Sequence, residues 1–501
     1  MVPLPLITFP LLRLQYECCC LQFSQGTTVT TITSSELPSS SLLSSKKTII
    51  NYRLPQIEQL LQHSDLADYV RLLSRPVVTN TLRQLFASIR QHPDFKIQGV
   101  NHLDVMALVL DSCRQLYRRR QQRVINATGI AVHTNLGRSP IDEQIWDSIK
   151  AVNVGYNNLE LKLSDGKRGD RNGLLPTLIQ SWIGAADCVV VNNNAASVYL
   201  VLHALAAGKE VIVSRGEQVQ IGGGFRIPDI LALSGCKLVE VGTTNITTSD
   251  DYINAITENT AMVLMVHQSN FSMQGFTESP DIQDVAERLP EHVSLVIDQG
   301  SGLSSEQYAQ SEVSLPRYLQ MGVDLVCFSG DKIIGGPQAG IIAGCPKLCQ
   351  QLAKNPMMRT FRPGRIVLSM LEQLLVQKLN RDPAGFGVAQ QALDRAKISQ
   401  TLAQQWAQRW KPYVQAVPLV MQVGGGAIPS ETYPCYGLKL TLPGKAQLHL
   451  DALRDLPTPI IGYVNSNQLL LNVATLLDSD HAVFIAQLDD YIQSYINTEA
   501  K

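Results

Sequence analysis

"FSGDKIIGGPQAG", residues 328 to 340, is the stretch from which the rest of the chain is read. Lys332 follows an acidic residue and precedes a glycine pair. The segment before it, Val323 to Phe328, reads as a short buried strand. A lone lysine after a strand is ordinarily a solvated loop residue. Here it lies beside backbone that only glycine follows easily, where chain and ligand approach closely. Such a setting suits an amine that does chemistry, because burial lowers a lysine's pKa and frees a nucleophile near neutral pH.

The surroundings repeat one texture. "CVVVNNN", "EVIVSRG", "KLVEVGTTN", "AMVLMVHQSN", "SLVIDQGSG" and "VDLVCFSGDK" are apolar runs that end in polar or glycine-rich tips. Helical patterns separate them. This predicts an α/β fold with a mostly parallel central sheet. Ligands of such sheets sit beyond the carboxyl ends of the strands, so the polar tips form one candidate site. From Pro55 to Arg120 the pattern is helical, and Asn80 reads as the N-cap of a helix burying Leu82, Leu85, Phe86 and Ile89. After Ile366 a helical stretch runs to about Trp410, and the remainder reads as a smaller α+β domain. The expected organisation is a disordered tail over 1–50, a helical domain over 51–122, a catalytic domain over 123–375 and a small C-terminal domain over 376–501.

Composition narrows the class. The chain has 501 residues, 45% hydrophobic and 17% charged, with a net charge of −1. No global field attracts a polyanion, so a nucleic-acid partner needs a local basic patch. Arg118, Arg119, Arg120 and Arg123 form such a run. On charge alone a solvated helix end is the preferred reading of it. The ten cysteines are scattered, as in a reduced compartment, and the Cys345/Cys349 pair lacks the partners of a zinc site, so no metal is expected. No run approaches the roughly 20 apolar residues of a membrane span. The apolar first 12 residues carry three prolines and no basic start, and the Ser/Thr-rich residues 26–48 read as unstructured. A weak membrane-associating segment is the alternative there.

Three strand-end features come in a telling order. "NNNAAS", Asn192 to Ser197, follows a strand and opens a helix, where free N–H groups suit a phosphate. Asp298 then stands at one strand tip and Lys332 at a later one. A phosphate cup, an acid and a lysine occur in this order in fold-type I pyridoxal-phosphate enzymes. The lysine joins the cofactor aldehyde, and the carboxylate keeps the pyridine nitrogen protonated. Asn193, Asn194, Ala195 and Ser329 are the further cofactor-binding candidates. Asn270 is placed to reach the cofactor's phenolic oxygen, and His267 reads either as packing near the ring or as a satisfied core histidine. A dinucleotide-binding reading fails because "GSGLSS" lacks the last glycine, and no phosphate-loop lysine motif is present. Arg138, Arg359 and Arg362 are candidate anion-binding residues, since guanidinium forks hold oxyanions by paired hydrogen bonds. Arg359 and Arg362 are spaced i and i+3, so one helical turn would aim both the same way.

The words "VINATGIAVHTNLGRSP", "GKRGDRN", "VVNNNAASV", "GGGFRIPDI", "VEVGTTN", "FSGDKIIGGPQAGII" and "RTFR" resemble the bacterial selenocysteine synthase family, the L-seryl-tRNA(Sec) selenium transferases. The resemblance runs from about Val124 to Arg362. It implies a fold-type I pyridoxal 5'-phosphate enzyme in which Lys332 is the Schiff-base residue. It implies that seryl-tRNA(Sec) loses water to give an aminoacrylyl intermediate, that selenophosphate supplies selenium, and that selenocysteinyl-tRNA(Sec) is released. It places Arg138, Arg359 and Arg362 at phosphate- or selenophosphate-binding positions and the helical N-terminal region where tRNA is held. It further implies a cytoplasmic homo-oligomer of dimers assembled into a larger ring such as a decamer. The chain departs from the family's pattern at Ile246, Gln268, Gln299, Lys162 and Pro363. The alternatives are a related pyridoxal-phosphate lyase acting on a small amino acid or amino-sugar acid, and a non-catalytic RNA- or protein-binding relative.

Overall fold

The computed structural model describes residues 53–93, 95, 99–100, 104–221, 224–268, 271, 273–306, 312–382, 387–425 and 431–499. The expected tail and Asn270 lie outside the described residues. Two compact units meet in sequence between Arg120 and Gln121.

The first unit contains helices Ile57–Leu61, Ser64–Leu73, Arg75–Gln91 and Val105–Arg118. Leu66, Val78, Leu82, Phe86, Val109 and Cys113 form its core. Burying each of the larger side chains contributes about 2 kcal/mol. The apolar face read from the sequence is the buried one, but the helix does not open at Asn80. It begins at Arg75, because Pro76 fits the first turn, where its missing N–H is not needed.

The second unit is built on a seven-stranded sheet. Its strands are β1 (Asp187–Val191), β2 (Glu210–Ser214), β3 (Lys237–Val241), β4 (Thr260–Val266), β5 (Ser294–Gly300), β6 (Leu325–Ser329) and β7 (Gly340–Gly344), in the spatial order 1-7-6-5-4-2-3. Only β7 runs antiparallel to its neighbours, β6 and β1. The other pairs are parallel. Alternate residues enter two separate cores. Val190, Ile212, Val263, Ile297 and Phe328 meet one layer of helices, and Val189, Val211, Met262, Val296 and Cys327 meet the other. Covering both faces explains why β4, β6 and β7 are buried at every position and read as continuous apolar runs. It also leaves the carboxyl ends of β1, β5 and β6 as the open edge where polar residues gather.

A five-stranded sheet forms the smaller part of this unit, in the order Tyr463–Asn465, Gln468–Asn472, Tyr433–Leu440, Val414–Gly424 and Ile130–Val132. Its last strand comes from the start of the unit and pairs in parallel with Val414–Gly424. Trp406, Trp410, Leu438, Leu471, Phe484 and Leu488 fill its core. The helical stretch expected after Ile366 is two helices, Arg365–Arg381 and Val388–Arg409. Pro383 and Gly385 stand between them in the sequence and do not favour continuation. The first of these helices sends Leu368, Leu371, Leu374 and Leu375 into the main-sheet core. Among the described residues no helix is long and apolar enough to cross a membrane.

Candidate functional site

Lys332 follows β6 in a loop fixed at several points. Gly330 N–H donates to Ala339 O at 2.9 Å, Gly336 N–H to Gly330 O at 2.8 Å, and Ile333 N–H to Ser301 O at 3.1 Å. The last bond ties the loop to the end of β5. Lys332 keeps part of its surface open, but its amine is surrounded by protein atoms. Burial lowers its pKa; nearby Asp298 opposes that shift and Arg138 adds to it. Gly300, beside the amine, is required by its backbone conformation and not by lack of space. It adopts φ +73°, and a Cβ there would lie 3.6 Å from Lys332 Nζ and 4.0 Å from Asn194 Nδ2.

Asp298 lies on β5, 6% exposed, and accepts a 2.7 Å hydrogen bond from Asn194 Nδ2. Burial pushes its pKa up to about 6, against the hydrogen bond from Asn194 and the charge of Lys332. Asn193 caps helix Asn194–Ala206, its side chain accepting from Ala196 N–H at 2.9 Å. That leaves Ala195 N–H in the first turn, where a helix has no partner of its own to offer. Gly340 of β7 lets the strand approach this turn: a Cβ there would meet Asn193 O at 2.2 Å and Ser197 Oγ at 2.3 Å. Ser329 is buried as the last residue of β6.

His267 follows β4. Its N–H donates to Asp298 O at 2.9 Å, and its Nε2 lies 3.6 Å from a carboxylate oxygen of Glu312. Burial, with help from Lys332, lowers the His267 pKa to about 4, so the ring is neutral at physiological pH. Glu312 is buried and accepts a hydrogen bond from Ser301 Oγ. Four buried polar atoms around this pocket, Asn194 Oδ1, Ser197 Oγ, Asp331 Oδ1 and His133 Nδ1, have no hydrogen-bond partner among the described residues. Buried polar atoms are rarely left so, and a ligand with several polar groups satisfies them.

Arg138 pairs with Asp331 at 2.8 Å, beside Lys332, from a left-handed backbone conformation (φ 64°) unusual for a side chain of this size. Arg359 lies in the turn Met358–Phe361 and Arg362 follows it. That turn docks on the end of β1. Asn192 N–H donates to Phe361 O at 2.9 Å, and Asn192 Nδ2 to Thr360 O at 3.4 Å. Arg359 is exposed and makes no ion pair among the described residues. Arg362 is not inside the helical turn as its spacing suggests. It caps it in an extended conformation (φ −66°, ψ 131°), because the following Pro363 disfavours helical backbone at the preceding residue. Its Nη1 lies 3.7 Å from Glu160 Oε1, and Glu160 also binds Arg171 at 2.7 Å and Arg168 at 3.0 Å.

The strand ends therefore gather Lys332, Asp298, Asn193, Asn194, Ala195, His267, Ser329 and Arg138, and the arginine turn joins them through Asn192. Asp331, Glu312, Glu160 and Arg171 were not singled out from sequence. Asp331 was signalled by adjacency to Lys332 and Arg171 by "GKRGDRN", whereas nothing in the sequence pattern marked Glu312. Of the departures from the family pattern, Gln299 is buried and braces the segment after β5, its Nε2 donating to Val313 O at 2.8 Å and its Oε1 accepting from Gly302 N–H at 3.1 Å. Gln268 Nε2 donates to Gly216 O at 3.0 Å. Ile246 and Lys162 are exposed. Arg123, read as part of the basic run, instead pairs with Asp480 at 2.6 Å.

These groups fit pyridoxal phosphate: an amine with a lowered pKa, a buried carboxylate whose raised pKa calls for a cationic partner, and a helix start with an N–H and a hydroxyl for a phosphate. A family model described as L-seryl-tRNA selenium transferase matches residues 124–477. A protein of Alkaliphilus oremlandii named L-seryl-tRNA(Sec) selenium transferase is 34% identical over 463 residues, covering 88% of this chain and 98% of the relative. One of the same name from Geobacter sulfurreducens is 36% identical over 454 residues, covering 87% and 98%. Among solved structures, D-glucosaminate-6-phosphate ammonia-lyase shares the fold, with a TM-score of 0.52 at 18% identity over 75% of this chain and 97% of that one. With its strand-tip lysine in place and these relatives matched over nearly their whole length, the chain belongs to the L-seryl-tRNA selenium transferase family.

Proposed function

We propose that this protein converts seryl-tRNA(Sec) to selenocysteinyl-tRNA(Sec) with pyridoxal phosphate as cofactor and selenophosphate as selenium donor. The observation that carries the reading is the meeting of Lys332, Asp298 and Asn194 at adjoining strand ends, in a chain matched by the family model over 124–477. The cofactor, when bound, supplies an aldehyde for an amine and a protonated ring that withdraws electrons from the substrate's Cα.

The chain's own residues do the rest. Lys332 Nζ anchors the cofactor. Asp298 holds the proton on the ring nitrogen, and Asn194 orients Asp298. Ala195 N–H and Ser197 Oγ receive the phosphate, and neutral His267 lines the pocket. Lys332 Nζ, freed when the seryl amine takes its place, would accept the Cα proton and pass a proton to the seryl hydroxyl, which would leave as water. Selenium from the donor would bond to Cβ, water would attack phosphorus as the Se–P bond breaks, releasing inorganic phosphate, and Cα would regain a proton. Arg138, Arg359 and Arg362 bind the donor's phosphoryl group, and exposed, unpaired Arg359 suits that task.

We further place tRNA contact on the helical domain at 51–122, where Arg114, Arg119 and Arg120 are exposed near one helix end. The same reading takes the catalytic domain as 123–375, the small domain as 376–501, the location as cytoplasmic and the assembly as a homo-oligomer of dimers. Exposed Trp146, Val154, Tyr156, Leu163 and Leu174 support self-association. The test is turnover of seryl-tRNA(Sec) with selenophosphate. Selenocysteinyl-tRNA(Sec) is the expected product. Release of ammonia from free amino acids or amino-sugar acids, with no reaction on the charged tRNA, would replace this reading with the lyase.

A further inference from the structure

We infer that Arg171 is a positioning residue for the donor clamp: it fastens the backbone beside Arg362 and shares a carboxylate with it. The inference rests on the reading of Arg362 as a phosphoryl-binding residue. Arg171 uses its two terminal nitrogens on different partners. Nη1 donates to Glu160 Oε1 at 2.7 Å, and Nη2 donates to the carbonyl of Pro363 at 3.0 Å. Its side chain is only 23% exposed, so both bonds are partly shielded from water.

Arg362 sits between two fastened carbonyls. Phe361 O, before it, accepts from Asn192 N–H at the end of β1, and Pro363 O, after it, accepts from Arg171. Pro363 also fixes its own φ and restricts Arg362 to an extended conformation, so little backbone freedom remains. The side chain is treated differently. Glu160 Oε1 is held closely by Arg171, and Arg362 Nη1 stands 3.7 Å from the same oxygen, beyond hydrogen-bond reach. Glu160 thus draws the Arg362 guanidinium toward one side without occupying its donors, which stay available to an oxyanion. Only a planar fork spans both partners of Arg171. A lysine keeps the charge but concentrates its donors on one atom.

The experiment measures binding of inorganic phosphate to the holoenzyme by calorimetry, and the KM for selenophosphate, in R171K, R362A and the double variant. R171K is expected to weaken phosphate binding and raise the donor KM about tenfold, with kcat falling less than KM rises. In the R362A background R171K should change phosphate affinity less than about twofold, because the two residues act through one site. E160Q removes half of the same linkage and should act in the same direction by about threefold, which keeps the test open if R171K folds poorly. An equal effect of R171K with and without Arg362, or unchanged phosphate affinity in R171K while R362A weakens it, would overturn the positioning role alone. Phosphate affinity unaffected in R362A itself would overturn the clamp as well.

Discussion

The two halves of the site are built by opposite means. The lysine cup is made of strand ends in the main sheet. Its groups are buried or half-buried apart from exposed Ala195, with Asp298 at 6% and Asn194 joined to it at 2.7 Å, and its pKa shifts are set first by desolvation. The arginine rim is made of segments outside the sheet, at 157–172 and 358–365, with Arg168 at 77% and Arg362 at 33% side-chain exposure. There one carboxylate, Glu160, is shared among three guanidinium groups. The cup is rigid because its backbone is already fixed by the sheet, and the rim holds its shape through side-chain bonds. Substitutions in the cup should therefore remove the chemistry, while substitutions in the rim should loosen binding and leave the chemistry largely intact.

The largest effect should come from Asp298→Asn. Without the carboxylate the ring nitrogen loses its reason to hold a proton, and turnover should fall at least about a hundredfold while the cofactor still binds. Turnover within a few-fold of the parent, measured at saturating substrates, would erase the distinction between the two halves. Arg359→Ala and Arg362→Ala should each raise the selenophosphate KM about tenfold and spare cofactor uptake. If kcat collapsed instead with KM unchanged, these residues would belong with the cup.

The smallest effect concerns the floor of the cup. Glu217 accepts from Val266 N–H at 3.0 Å and from Tyr252 Oη at 3.3 Å, just before His267 in the chain. Burial pushes its pKa from the ordinary 4.5 up to about 7. A raised carboxyl pKa means that the folded state holds the proton longer. This contribution to stability is full below about 4.5 and lost as pH rises through about 7. Glu217→Gln keeps an acceptor without the charge, so its Tm relative to the parent should climb by about 2 °C between pH 5 and pH 8 in the cofactor-free protein. Asp298 is shifted in the same sense but is common to both proteins and cancels in the difference. A Tm difference independent of pH would show that Glu217 is not buried as a titrating acid.

The contrast between cup and rim also explains what the sequence revealed. Strands buried on both faces must be apolar throughout and end where polarity returns, so Asp298 and Lys332 were visible as tips. Asn194 was visible as the start of a helix. The rim gave no such signal. Arg171 contacts Pro363 across 192 positions and Glu160 across 11, and none of the three residues lies in a helix or a strand whose period would reveal the contact. The i, i+3 reading of Arg359 and Arg362 failed at a proline, whose effect on the preceding residue was legible in principle. Asn80 misled for a related reason: a good cap is outweighed when Pro76 fits the first turn upstream. Glu312 could not be found because a glutamate in a polar loop carries no periodicity to show that it folds back on His267.

Attachment of the cofactor to the amine of Lys332 is tested most directly by peptide mass spectrometry after borohydride reduction of the pyridoxal-phosphate-loaded protein. A phosphopyridoxyl group on Lys332, absent in Lys332→Ala, is the predicted result. An unmodified Lys332 with the label on another lysine, or equal labelling in the Lys332→Ala protein, would contradict it.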